Sequence, residues 1–137
     1  MSDEFLGGKA EAVAINPADP TEVIVGLGDD QNEHPVLTLR PTAIPLFPGN
    51  GMWMSPSGSS GDRGTWVHLN IPALSSSVVS HILYAPDGNT VYAATSQGVF
   101  IGTRSGGTLT FPSTPSLAFP TDSVVGDFSG ATPILYA

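Results

Sequence analysis

The sequence predicts an all-β protein built from repeated four-stranded antiparallel units. Three observations carry this. Gly (16) and Pro (13) make up about a fifth of the 137 residues, close to double their average use, which calls for many turns. Charged residues are only 12%, and Lys occurs once, at Lys9, so the surfaces of long helices cannot be furnished. Hydrophobic residues reach 40%, too many for a disordered chain of this charge content. Short strand-like apolar runs then alternate with turn clusters along the chain.

The runs repeat. At a constant offset of 68, Ala14-Ile15 falls on Ile82-Leu83, Asp19 on Asp87, and the run from Val23 to Leu27 on the run from Val91 to Thr95. Each copy reads strand, tight turn, strand. The turns are Asn16-Pro17-Ala18-Asp19-Pro20 and Ala85-Pro86-Asp87-Gly88-Asn89. Pro presets φ, Asp and Asn bond back to backbone amides, and Gly permits positive φ. A third copy starts at Val124, turns at Ser129-Gly130-Ala131-Thr132-Pro133 and ends on Ile134-Leu135-Tyr136-Ala137. Third strands are expected at Gly51-Met52-Trp53-Met54-Ser55 and, 47 residues on, at Gly98-Val99-Phe100-Ile101-Gly102. Fourth strands follow at Thr65-Trp66-Val67-His68-Leu69 and Thr108-Leu109-Thr110-Phe111. The expected organisation is an N-terminal segment (1–10), a first unit (11–74) with an insertion at 30–50, a second unit (75–118) and half of a third (119–137). Four short strands at a period of about 45 are the pattern of β-propeller blades, here about two and a half of them.

These blades resemble the BNR (Asp-box) repeats of sialidases, xyloglucanases and the sortilin ectodomain. The resemblance rests on residues 12–25, on Gly51-Met52-Trp53-Met54-Ser55 and on Ser60-Gly61-Asp62-Arg63-Gly64-Thr65-Trp66, with Val91 to Thr95 and Gly98 to Ile101 in the second unit. The turn at 60–66 is one residue shorter than Ser-x-Asp-x-Gly-x-Thr-Trp, and Ser105 and Phe111 stand in the second unit where Asp and Trp would be. The resemblance implies a structural role for Asp62, Gly64 and Trp66: amide binding, positive φ and packing between blades. It also implies an extracytoplasmic setting, although the start of this chain has no basic region followed by an apolar one. Trp53, Trp66, Phe100, Tyr92, Leu83 and Ile15 are expected in the core or between blades.

Several function classes are disfavoured. A net charge of −8, with Lys9, Arg40, Arg63 and Arg104 scattered, offers no cationic patch for nucleic acid. No apolar run approaches the ~18 residues of a membrane span. The absence of cysteine excludes thiol nucleophiles and Cys-ligated metals. Sialidase-type chemistry needs an arginine cluster with a Tyr nucleophile and a Glu base, and the four Glu residues (Glu4, Glu11, Glu22, Glu33) all lie near the start. No cofactor is expected.

Two segments stand outside the scaffold. Asp29, Asp30, Glu33 and His34 form an oxygen-rich loop that is either a solvated turn or a metal site. The insertion carries Val36, Leu37, Leu39, Ile44, Leu46 and Phe47 among four prolines, too apolar for a free loop. It either folds back on its own blade or meets a partner. His68 is expected at a partly wet edge and His81 as a satisfied structural histidine.

Propellers close at four blades or more, so two and a half leave sheet edges open. The terminal strand Ile134, Leu135, Tyr136 is therefore a second expected contact, pairing with residues 2–8 or with a neighbour's strand. The function expected from these residues is a non-catalytic interaction or assembly module working with other protein chains, in a homo-oligomer or a larger complex. The alternative is a fragment of a carbohydrate-binding or glycoside-hydrolase propeller with a glycan ligand. A metal-dependent enzyme centred on residues 29–34 ranks last.

Overall fold

A computed structural model describes residues 10–28, 51–56, 66–69, 71 and 77–137. These residues are all-β, with no helix. The first sheet joins Ala10–Ile15 (β1), Val23–Leu27 (β2), Met52–Ser55 (β3) and Val67–Leu69 (β4) in that order. The second joins Val79–Tyr84 (β5), Thr90–Thr95 (β6), Gly98–Ser105 (β7) and Thr108–Thr110 (β8), also in chain order. Val125–Asp127 (β9) and Ile134–Tyr136 (β10) form a two-stranded third sheet. Every pairing is antiparallel. The insertion at 30–50 lies outside the described residues. Across it β2 pairs directly with β3, from Gly26 opposite Met52 to Val23 opposite Ser55.

The same device closes all three leading hairpins. Asp19 accepts from the Thr21 amide at 3.0 Å, Asp87 from the Asn89 amide at 2.9 Å and Asp127 from the Ser129 amide at 2.9 Å. A short carboxylate that reaches the amide two residues on supplies the turn with its own acceptor. Gly88 takes a φ of 70°, which a side chain would resist. The loops differ in length, however. Ile15 pairs with Val23, whereas Tyr84 pairs with Val91, so the first loop is one residue longer. The uniform offset expected from the sequence is thereby corrected. It holds for β2 on β6, but β1 maps onto β5 one residue further on, and the register shifts at Ala10/Ala12 and Val79/His81 coincide on that basis.

The sheets stack face to face. Paired neighbours place Ala12, Gly26, Met52 and Leu69 in one row across the first sheet, and Ala14, Ile24 and Met54 in the next. This face packs on Ile82, Tyr84, Val91, Ala93 and Phe100 of the second sheet in a single core cluster. Gly26 is required by that approach, since a Cβ there would lie 2.5 Å from Val79 Cγ1. The opposite face of the second sheet carries Tyr92, Ala94, Leu83 and Ile101, covered by Val124, Phe128 and Leu135 of the third. The Tyr92 and Phe128 rings sit 6.1 Å apart, within the range of favourable aromatic pairs. His81 is the satisfied structural histidine expected of it, because its Nδ1 accepts from the Val124 amide at 3.2 Å. After β8 the chain returns to the free half of β7, where Leu117 bridges Val99.

Phe100 and Tyr92 are buried as expected, and Leu83, Trp53 and Trp66 are partly buried. Ile15 is a correction: it is 59% exposed, as is its neighbour Val13 at 67%. Strand alternation explains this. Ala12 and Ala14 point into the stack, so Val13 and Ile15 point away from it.

Candidate functional site

Two features stand apart from the plain packing: a buried polar cluster between the first two sheets, and the bare apolar faces at the two ends of the stack. The cluster is built around Glu22, the last residue of the first hairpin loop. Its Oε1 accepts from Asn16 Nδ2 at 2.9 Å, from the Tyr84 hydroxyl at 2.9 Å and from the Arg104 guanidinium. Each partner arrives by strand register. Tyr84 ends β5 and Arg104 lies on β7, both on the face turned toward the first sheet. Asn16 opens the first loop and also donates to the Gly88 carbonyl at 3.4 Å. Arg104 spends a second donor on the Gly107 carbonyl at 3.1 Å. Desolvation, with Glu22 accepting the hydroxyl's hydrogen bond and repelling the phenolate, holds the Tyr84 phenol far above its ordinary range.

Glu, Tyr and Arg are the residue types that sialidase-type chemistry needs, and the fold unites three that the sequence scatters over 82 positions. The Tyr84 hydroxyl and the Arg104 guanidinium both bond Glu22 Oε1, with Glu22 and Tyr84 buried. The arrangement keys the first sheet to the second; three donors on one carboxylate oxygen make it a lock for that joint.

The end faces are different. On the first sheet Val13 and Ile15 face outward. On the third hairpin Val125, Ile134 and Tyr136 are 54%, 53% and 60% exposed. Asp127 joins that second face, paired with Ile134. Its carboxyl is held below the ordinary carboxylate range by bonds from the Ser129 backbone and side chain. Leu135, expected at a partner contact, instead turns inward and packs on the second sheet. The cause is the same, alternation along β10. Ile134 and Tyr136 remain where a partner can reach them.

Other expected residues fall elsewhere. Asp29, Asp30, Glu33, His34, Val36, Leu37, Leu39, Ile44, Leu46 and Phe47 lie outside the described residues, as do residues 2–8, Asp62 and Gly64. Among the described residues no group of three His, Cys, Asp or Glu side chains converges to hold a metal. Among them too, no helix is long and apolar enough to cross a membrane. His68 packs against Trp53 with ring centroids 4.8 Å apart and the planes tilted, and the buried Trp53 Nε1 has no hydrogen-bond partner among the described residues. The cluster around Glu22 was missed by sequence reasoning because two of its three partners are 62 and 82 residues away. The usable signal was Arg104, an isolated cation in strand phase with Phe100. No family model matches this chain, and no curated protein or solved structure matches it.

Proposed function

We propose that the chain is a non-catalytic interaction module of propeller type, its sheets acting as blades, which works in an oligomer or larger protein complex. The observation that carries this is the pair of bare apolar faces, Val13 with Ile15 at one end and Val125, Ile134 and Tyr136 at the other. Large apolar side chains grouped at the open ends of a sheet stack are contact surface, because an isolated domain hides such faces or dresses them in charge. The polar lock at Glu22 supports the same reading, since it fixes the angle between two blades and so the relation between the ends. Sedimentation velocity from roughly 1 to 100 µM, the range of weak to moderate interfaces, tests it. Species heavier than the 14.1 kDa chain are expected to grow with concentration. A single 14.1 kDa species throughout, with no partner bound, would overturn the reading.

A further inference from the structure

We infer that one copy of this chain docks head to tail on another, the Val13–Ile15 face of one covering the Ile134–Tyr136 face of the next. This rests on the assembly reading above and names the partner.

The argument is one of equivalent positions. Each sheet has a leading face, turned to the sheet that follows it, and a trailing face, turned to the one before. The pairings Ile15 with Val23 and Tyr84 with Val91 make Ile15 the counterpart of Tyr84, and Val13 that of Ile82. Ile82 and Tyr84 form the trailing face of the second sheet and are buried on the first. Val13 and Ile15 are thus a trailing face that no sheet covers among the described residues. At the other end, Tyr136-Ala137 repeats Tyr92-Ala93, and Leu135 beside it packs on the second sheet, so Tyr136 faces away from the sheet before it as Tyr92 does. Tyr92 belongs to a leading face that the third hairpin covers. Tyr136 and Ile134 are thus a leading face that no sheet covers among the described residues. The contact that would cover each end is already made twice inside the chain.

One position pair identifies the occupant further. Within the chain, Glu22 on a leading face bonds Tyr84 on a trailing face. By the same equivalences Glu22 corresponds to Ile134, and Tyr84 to Ile15. Between copies, therefore, Ile134 meets Ile15 where the polar pair sits within one. Both sides have changed together from polar to apolar, which is the complementarity a second copy needs. The contact is heterologous: it joins two different patches and propagates, to a ring or to an open array.

Mixing two face variants tests this. Ile15→Asp spoils the trailing face and keeps the leading one; Ile134→Asp does the reverse. Both positions are exposed, so each variant is expected to keep the wild-type circular dichroism, and Val13→Lys with Tyr136→Lys serves as a second pair. Each variant alone is expected to lose association by at least roughly tenfold. An equimolar mixture is expected to form a capped dimer and nothing larger, through the one intact face of each. If the wild type assembles but the mixture stays monomeric, or either variant assembles as the wild type does, the head-to-tail contact is overturned while the assembly reading stands. A wild type that never associates overturns the contact, and with no other partner it overturns the reading too.

Discussion

Replacing Arg104 with Met removes the cation that Glu22 is paired with and keeps most of the aliphatic stem. The Arg104 side chain is 16% exposed and that of Glu22 4%, so this is a largely buried ion pair. Breaking such a pair from one side costs about 3–5 kcal/mol, because the remaining charge is stranded. Glu22 keeps Asn16 and Tyr84 as donors, each at 2.9 Å, which places the cost at the lower end, about 3 kcal/mol. Urea denaturation reads it as a lower midpoint at an unchanged slope. Adding Glu22→Gln to Arg104→Met removes the stranded charge and is expected to recover part of the loss, so the two changes should be strongly non-additive. A cost for Arg104→Met below about 0.5 kcal/mol, the range of exposed pairs, would refute the lock, as would simple additivity of the two.

Two further outcomes follow from the packing and the pKa of Tyr84. Gly26→Ala is expected to destabilise by about 1–3 kcal/mol through overpacking against Val79, read by the same denaturation; a neutral effect would mean the two sheets are further apart. The Tyr84 phenol is raised above its ordinary 10.0, so the folded state holds that proton more tightly than the unfolded chain does. Its contribution is fully present below pH 10.0 and is lost as the pH climbs beyond it. Tyr84→Phe should flatten this alkaline fall, leaving the smaller part that burial of Tyr92 supplies, and an unchanged fall would contradict the assignment.

The strands and hairpins were legible because their signals are local. Asp19, Asp87 and Asp127 do in the fold what turn chemistry asks of them two residues away. The one-residue slip between the first two hairpins was not legible, because the extra residue sits inside a loop whose composition tolerates it. Glu22 read only as one of four Glu residues near the start. Its meaning comes from Tyr84 and Arg104, which only the stacking of sheets brings near. Ile15 read as core because apolar alternation identifies a face without saying whether another sheet covers it. For Leu135 and Ile134 the same alternation was read as one contact, where the fold divides it between the inside of the stack and its end.

The most direct measurement uses the absence of cysteine from the chain. Ile15→Cys and Ile134→Cys, introduced together, place one thiol at each end of the stack, and a bismaleimide of about 10 Å reach matches the spacing of stacked sheets. The double variant is expected to give a ladder of covalent dimers, trimers and longer species on a denaturing gel, while each single variant gives no ladder. Dimers of comparable yield from either single variant would mean that like faces meet. Monomer alone from the double variant would mean that the two ends do not meet, and either result would contradict the account.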